Sequence, residues 1–139
     1  MPLPKILVIE DNPADVFILI RMLKLQDAEF EVEIVSDGER ALQYVHSRRK
    51  NSHDLTPCVI LLDLHLPKHD GLEVLRAIRQ DPDLGHIQVV ATTSVISPAQ
   101  EAELRRLGAH YRLKPTNLSQ VRELACDLIA ICKGWQIAA

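Results

Sequence analysis

Three carboxylate side chains follow two short apolar runs of the sequence, at the points where the runs end. Glu10 and Asp11 follow Lys5–Ile9, and Asp63 follows Val59–Leu62. Runs this short and apolar are typical of strands buried on both faces of a parallel sheet, whose chemistry lies just beyond the carboxyl ends of the strands. Uncompensated acids there would repel one another and raise at least one pKa, which a hard divalent cation such as Mg²⁺ relieves. The alternative for Asp63 alone is an aspartate that merely begins a turn.

The elements that must position these acids alternate regularly along the chain. Five apolar, strand-like runs are each followed by an amphipathic helical pattern, and five such βα units imply a three-layer sandwich. With right-handed crossovers, the common arrangement is an α/β, doubly wound, five-stranded parallel sheet of order 2-1-3-4-5, the flavodoxin-like sandwich. Its switch point lies between the first and third strands, the two that end in carboxylates. The predicted strands are Ile6–Ile9, Val32–Val35, Val59–Leu62, Ile87–Ala91 and His110–Leu113.

Capping residues mark the starts of the predicted helices, because their side chains accept N–H groups of the first turn. The predicted starts are Asn12, the capping-box spacing Ser36 to Glu39, Asp70, the capping box Ser97 to Gln100, and Asn117. Gly108 is typical of a residue that ends a helix. The polar linker His46–Pro57 is long for a connection between a helix and a strand, and we expect it to be mobile.

The composition is that of an ordinary globular chain. With 139 residues, 47% hydrophobic and 25% charged, it suits one domain with a sizeable core. A net charge of −3 without a basic face argues against nucleic acid as a partner. No apolar segment approaches the ~20 residues of a transmembrane helix, so we expect neither a membrane span nor, from the first residues, a signal sequence.

We expect residues 1–133 to form the domain and residues 134–139 a short tail, after a helix break at Gly134. The tail is too short for an output domain. The cysteines, Cys58, Cys126 and Cys132, show no CxxC spacing. They are therefore predicted to be reduced thiols of a cytoplasmic protein.

With these residues in place, the chain resembles a response-regulator receiver domain of two-component signalling, over roughly Lys5 to Lys133. The family's signature is an acidic pair after strand one, an acceptor Asp after strand three, a Thr or Ser after strand four and a Lys-Pro after strand five. The matching residues are Glu10-Asp11, Asp63, Thr92 and Lys114-Pro115, with Pro67 and Gly71 at the family's offsets from Asp63. The stretches 10–15 and 92–94 further resemble the stand-alone regulators that partner bacterial phytochromes.

The resemblance implies that Asp63 accepts a phosphoryl group from a sensor histidine kinase to give an aspartyl-phosphate. The subfamily resemblance implies a kinase of the phytochrome type. Asp11 and Asp63 would bind Mg²⁺ directly, and Glu10 directly or through a metal-bound water. The family also uses the backbone carbonyl two residues past the acceptor, here that of His65. Lys114 would pair with a phosphate oxygen.

The resemblance also implies a conformational switch. Thr92 would hydrogen-bond the phosphoryl group, and Thr93 is an adjacent rival; the spacing to Lys114 favours Thr92. Tyr111 matches the aromatic residue that swings inward on activation, with a simple half-buried strand residue as the alternative. By family analogy the Lys114–Pro115 bond is expected to be cis.

Other functions remain as alternatives. A degenerate receiver would serve only as a protein-binding scaffold. The joint presence of four signature residues disfavours it, namely Asp63, Asp11, Thr92 and Lys114. An Asp-dependent phosphohydrolase of the haloacid-dehalogenase kind needs a second Asp two residues after the first, where this chain has His65. A flavodoxin-like redox protein would need a phosphate-binding loop where Glu10 lies. A metal site made of His65 and His69 is disfavoured because both are predicted in a loop.

Signalling is then expected to run through protein contacts or onward phosphotransfer to a downstream protein. The apolar stripe of the last helix continues into Trp135 and Ile137, beyond what one core requires. Such a tail either folds back on the domain or packs on a second subunit. Since aromatic residues are enriched at interface cores and two-fold dimers are common, we predict a homodimer.

Overall fold

The computed structural model describes residues 3–47 and 56–138, without the side chains of 135–138. Within these ranges five parallel strands form one sheet of order β2-β1-β3-β4-β5, so the predicted doubly wound α/β fold is confirmed. The strands are β1 (Lys5–Ile9), β2 (Glu31–Val35), β3 (Val59–Asp63), β4 (Val89–Thr93) and β5 (His110–Leu113). The helices are α1 (Pro13–Lys24), α2 (Gly38–Ser47), α3 (Gly71–Gln80), α4 (Pro98–Arg106) and α5 (Leu118–Ala138). The expected mobility of the linker 46–57 concerns residues that mostly lie outside the described ranges.

Side chains of the central strands alternate between two apolar layers. In β3, Ile60 and Leu62 pack with α2, α3 and α4 on one face of the sheet. Val59 and Leu61 pack with α1 and α5 on the other face. Because successive strand residues point to opposite faces, Asp63 at the end of β3 lies on the side of α1 and α5. The fold thus brings the acceptor candidate to the crevice between these two helices.

Side-chain caps fix where the helices begin. The predicted caps Asn12, Asp70, Ser97 and Asn117 each accept a backbone N–H of the first turn. The expected cap at Ser36 was wrong by one residue, because Asp37 Oδ1 accepts from the N–H of Arg40 at 2.8 Å. Gly108 follows α4 with a φ of 65°, a conformation that favours glycine.

Strand β4 lies two residues later than the predicted run Ile87–Ala91. Ile87 instead belongs to the preceding turn, where its N–H donates to the carbonyl of Leu84 at 3.0 Å. The Arg79 side chain also donates to the carbonyl of Ile87 at 2.7 Å. The strand in turn includes Thr92 and Thr93, whose β-branched side chains favour extended backbone.

Helix α5 continues through Gly134 to Ala138, so the expected helix break at Gly134 was wrong. One helical glycine costs only about 1 kcal/mol relative to alanine. The helix therefore crosses the predicted boundary between domain 1–133 and tail 134–139. Where the side chains of Trp135 and Ile137 pack lies outside the described residues. Among those described, no helix is long and apolar enough to span a membrane.

A disulfide joins Cys58, just before β3, to Cys132 in α5. The expectation that all three cysteines are reduced thiols was therefore wrong for this pair, whereas Cys126 is free and exposed. Both bridged cysteines are buried in the layer under α1 and α5, with Cα atoms 5.0 Å apart. That separation lies within the ordinary range for a disulfide. The bridge attaches the second half of α5 to the amino end of the central strand.

Candidate functional site

Glu10, Asp11 and Asp63 meet at the carboxyl edge of the sheet, as the sequence predicts. Strands β1 and β3 pair in parallel with Ile9 opposite Leu62, so the residues that follow them are neighbours. One carboxylate oxygen from each acid lies within 4.8 Å of the others. Asp63 is 1% exposed and Glu10 8% exposed, whereas Asp11 is open to solvent.

Lys114 supplies the positive charge of this site. Its Nζ lies 3.0 Å from Asp63 Oδ2 and 3.3 Å from Glu10 Oε1. Burial opposes the ammonium charge, but the hydrogen bonds and negative charges of Asp63 and Glu10 raise the pKa of Lys114 above its ordinary value. The side chain therefore stays charged and holds the central carboxylate from one direction.

Asp15 is a third carboxylate on Lys114, and sequence reasoning assigned it no place in the site. Its Oδ2 lies 3.5 Å from Lys114 Nζ. From the sequence, Asp15 was only an acid in the first turn of α1. Its contact depends on how α1 and β5 are placed around the sheet, and no local pattern of residues reports that placement.

The acids remain crowded in spite of the lysine. Burial, and then the negative charge of Asp63, raise the pKa of Glu10 to about 7, although the N–H of Asn12 and the charge of Lys114 act to lower it. The cluster is therefore short of positive charge. Oxygen donors from carboxylates, one of them exposed to water, are what hard divalent cations prefer, so these residues fit such an ion.

The second oxygen of Asp63 is held by the loop that follows β3. Asp63 Oδ1 accepts the backbone N–H of His65 at 2.9 Å. With Lys114 on Oδ2, both oxygens have defined partners, and the carboxylate is oriented before any reaction. The use of the His65 backbone carbonyl as a metal ligand stays a prediction. His65 and His69 do not form a joint site: the His65 ring contacts Thr93, and the His69 ring contacts Glu73.

Thr92 and Thr93 lie on opposite faces of β4. Thr92 is opposite Asp63 in the register of the sheet and lines a small cavity with Glu10, Asp15 and Lys114. The Thr93 hydroxyl instead donates to the carbonyl of Val95 at 2.6 Å and lies 2.9 Å from His65 Nε2. This alternation places Thr92 on the acceptor's side of the sheet.

Gly71 allows α3 to begin directly beneath the acceptor. A Cβ at this position would lie 2.5 Å from Leu64 Cα and 2.8 Å from the carbonyl oxygen of Asp63. The Gly71 N–H also donates to the carbonyl of Leu64 at 3.1 Å. Only glycine permits this approach of the helix to the backbone that carries Asp63.

Two further expectations concern β5 and the turn after it. Tyr111 lies at the exposed edge of the sheet, where a hydrogen bond with Glu101 raises its pKa; its inward swing stays a prediction. The Lys114–Pro115 bond was expected to be cis, and this was wrong, because no peptide bond of the described residues is cis. An X–Pro bond favours trans by about 0.5–1 kcal/mol unless its surroundings select cis.

Comparisons with known proteins agree with this geometry. The family model of the response regulator receiver domain matches residues 6–125. Response regulator Rcp1 from Synechocystis sp. is 40% identical over 89 residues, which are 64% of this chain and 60% of that protein. The chain thus matches under two thirds of the length of this relative.

Two solved structures resemble the whole chain. The phosphorylated cyanobacterial phytochrome response regulator RcpA is 34% identical with a TM-score of 0.81, covering 99% of this chain and 97% of that one. The Mn²⁺-bound form of Rcp1 is 32% identical with a TM-score of 0.79, covering 93% of each chain. The predicted likeness to phytochrome regulators is confirmed. The chain belongs to the response regulator receiver domain family.

Proposed function

We propose that this chain is a cytoplasmic, phospho-accepting response regulator that takes a phosphoryl group from a sensor histidine kinase onto Asp63. The observation that carries the proposal is the combination of burial and hydrogen-bond partners at the Asp63 carboxylate. It is almost fully buried, yet one oxygen is held by the Lys114 ammonium and the other by the N–H of His65. Receiver domains partner sensor histidine kinases, and the likeness to RcpA and Rcp1 favours a kinase of the phytochrome type.

In the proposed transfer, an oxygen of Asp63 attacks the phosphorus of a phosphohistidine on the kinase. An O–P bond forms, the P–N bond breaks, and its electron pair leaves on the histidine nitrogen, which takes a proton from water. Such transfers depend on positioning and on neutralising the charge of the phosphoryl oxygens. Lys114 would stabilise one of these oxygens, and Thr92 would hydrogen-bond another.

We propose Mg²⁺ as the metal, held by Glu10, Asp11 and Asp63 together with the backbone carbonyl of His65. The acidic cluster supports a divalent cation, and the related Rcp1 has been solved with Mn²⁺. The ion would supply positive charge to the phosphoryl oxygens during transfer. The chain would catalyse only its own phosphorylation and dephosphorylation, and would not be an enzyme acting on other substrates.

Two alternatives are weaker. A scaffold that never accepts phosphate needs no buried acid between a lysine and two further carboxylates. An Asp-dependent phosphohydrolase needs an acid/base group two residues after Asp63, and His65 is occupied with the Thr93 hydroxyl on the other face of the sheet. The signalling function uses the buried Asp63 carboxylate together with Lys114 and the acids beside it.

Output would come through a downstream target or a further phosphotransfer protein, and we propose a homodimer. The surface carries large apolar side chains at Leu113 and Leu118, where β5 leads into α5, both more than half exposed. If α5 joins two subunits, truncation after Lys133 should weaken the dimer. Analytical ultracentrifugation of both forms at micromolar concentration, with and without beryllofluoride, measures this; a monomeric full-length protein in both conditions contradicts it.

The function is tested by incubation with acetyl phosphate and Mg²⁺, followed by intact-protein mass spectrometry. Wild type should gain one phosphoryl group that hydroxylamine removes, as an aspartyl-phosphate does. Asp63→Asn should gain none. Asp83→Asn, a change of the same kind at an exposed loop position, should behave as wild type. Undiminished labelling of Asp63→Asn, or no labelling of wild type, contradicts the proposal.

A further inference from the structure

Lys114 contacts one carboxylate that belongs neither to the acceptor nor to the proposed metal ligands. Asp15 Oδ2 lies 3.5 Å from the lysine Nζ, next to the contacts with Asp63 at 3.0 Å and Glu10 at 3.3 Å. Asp15 is in the first turn of α1, and Asn12 Oδ1 accepts its backbone N–H at 3.3 Å. The cap therefore fixes the backbone from which Asp15 reaches the lysine.

Three carboxylates surround the ammonium group of Lys114. Its Nζ donates to Asp63 Oδ2 and to Glu10 Oε1, and Asp15 Oδ2 makes a longer ion-pair contact at 3.5 Å. A phosphoryl group on Asp63 brings further oxygen acceptors to the same ammonium. The phosphoryl oxygens therefore compete with the present carboxylates for the ammonium group of Lys114.

Burial decides which carboxylate leaves. Asp63 carries the phosphoryl group itself. Glu10 is 8% exposed and accepts the N–H of Asn12 at 3.1 Å, so turning it away would leave buried polar groups unpaired. The Asp15 side chain is 47% exposed, so it can turn into water and replace the lysine with solvent. Asp15 is the partner that Lys114 can lose at least cost.

We propose that Asp15 is a positioning residue for the phosphoryl transfer, which holds Lys114 in the unphosphorylated protein and competes with the phosphoryl group for it. The inference rests on the proposed function of Asp63. Asp15 acts through the lysine, which it contacts, and not directly on the acceptor. Its carboxylate sets how readily Lys114 turns to the phosphoryl oxygens.

Competition between Asp15 and the phosphoryl group for Lys114 predicts how a change at Asp15 alters the affinity for a phosphoryl analogue. Removing the charge of Asp15 removes a competing anion from Lys114, so an analogue of the phosphoryl group should bind more tightly. Ion pairs with a half-exposed partner are weak, and the gain should be about two- to fivefold in affinity. Asp15→Asn should show this gain, and Asp15→Glu, which restores a carboxylate on the same turn of α1, should return the affinity toward that of wild type.

The experiment is an isothermal titration of the full-length protein with beryllofluoride at saturating Mg²⁺, so that only binding of the phosphoryl mimic is measured. Asp83→Asn is the matched control, since it removes the same charge from an exposed loop and should leave the affinity unchanged. If wild type does not bind beryllofluoride, the proposed function itself fails. If wild type binds but Asp15→Asn binds with the same affinity, only the inference about Asp15 is overturned.

A second pair of variants separates action through the lysine from simple charge repulsion. Asp15→Asn is made in a Lys114→Gln background and titrated at higher protein concentration. If Asp15 acts through Lys114, the gain from Asp15→Asn disappears when the lysine is absent. A gain that persists or grows there shows direct repulsion between Asp15 and the mimic, and overturns the positioning role.

Discussion

The two ends of β3 are both buried, but they are held in opposite ways. At the amino end, Cys58 forms a covalent bridge to α5, and its N–H donates to the carbonyl of Lys5 at 2.8 Å. At the carboxyl end, Asp63 lies among acids, and within the described part of the chain Lys114 is the cation that contacts it. Buried charge is costly unless it is paired, so the carboxyl end is less stable than an apolar strand end would be.

This difference explains how one strand serves both stability and chemistry. A reactive carboxylate needs partners that hold its oxygens without satisfying its charge completely. The incompletely balanced charge of Asp63 lowers the free energy of unfolding. Packing of the rest of the strand must compensate for this decrease. Here four fully apolar residues, Val59 to Leu62, separate the reactive end from the bridged end. The predictions below compare the two ends by changing each in turn.

The largest effect is expected at the bridged end. Breaking the bridge by Cys132→Ala, or by dithiothreitol on wild type, should lower the free energy of unfolding by about 2–4 kcal/mol, because the bridge closes a long loop in the unfolded chain. The two cysteines are 74 residues apart in sequence. Urea unfolding monitored by circular dichroism measures the change. Cys126→Ser, at the exposed free cysteine, should stay within about 0.5 kcal/mol of wild type. Identical midpoints for wild type with and without dithiothreitol would show that the bridge does not form.

A steric change at the reactive end should cost somewhat less. Gly71→Ala places a methyl group 2.5 Å from Leu64 Cα, so the backbone under Asp63 must shift, at a cost of about 1–3 kcal/mol in the free energy of unfolding. Gly134→Ala is the control, because among the described residues no atom outside its own stretch of helix lies within 4 Å of the added Cβ, and the residue is helical. It should gain about 0.5–1 kcal/mol. If Gly71→Ala leaves the free energy of unfolding unchanged, the loop after β3 can shift to accommodate the added methyl group.

Sequence reasoning found the reactive end because its evidence is local. Glu10, Asp11 and Asp63 each end an apolar run, and a parallel sheet brings such ends together whatever the details of packing. The helix caps at Asn12 and Ser97 are equally local, since each side chain bonds within its own turn. The order of the strands followed from the alternation of βα units.

The features that the sequence missed depend on contacts between distant segments. Cys58 and Cys132 are 74 residues apart in sequence, and the absence of CxxC spacing favoured reduced thiols. Spacing along the chain does not report a bridge between segments that meet only in the fold. The contact of Asp15 with Lys114 joins α1 to the end of β5. The shift of β4 arose because the Arg79 side chain holds the turn at Ile87. None of these leaves a periodic pattern in the sequence.

A divalent cation should stabilise the reactive end by a smaller amount. At a Mg²⁺ concentration ten times its Kd, the free energy of unfolding of wild type should rise by about 1.4 kcal/mol, because an ion bound only to the native state stabilises it by mass action. Asp11→Ala should show less than half of this rise at the same concentration. Thermal melts with Mg²⁺ and with EDTA measure both. Equal rises in the two proteins would place the ion elsewhere.

The smallest effect is expected when the charge of Asp63 is removed without metal. In EDTA, Asp63→Asn should leave the free energy of unfolding unchanged or raise it by up to about 1 kcal/mol. The change removes the negative charge beside Glu10, which contributes to the raised pKa of that group. The asparagine side-chain oxygen can still accept the N–H of His65, and Lys114 keeps its contacts with Glu10 and Asp15.

The opposing contribution in Asp63→Asn is the loss of the contact between Asp63 and Lys114 at 3.0 Å. Urea unfolding in EDTA measures the net change in the free energy of unfolding. Asp83→Asn is the control for removing one negative charge from the protein as a whole. If Asp63→Asn lowers the free energy of unfolding by more than about 1 kcal/mol, the ion pair of Asp63 with Lys114 outweighs the repulsion between Asp63 and Glu10. Asp63 would then stabilise the native state on balance, and the contrast between the two ends of β3 would fail. Adding Mg²⁺ sharpens the result, since it should stabilise wild type more than Asp63→Asn if the same carboxylate both repels Glu10 and binds the ion.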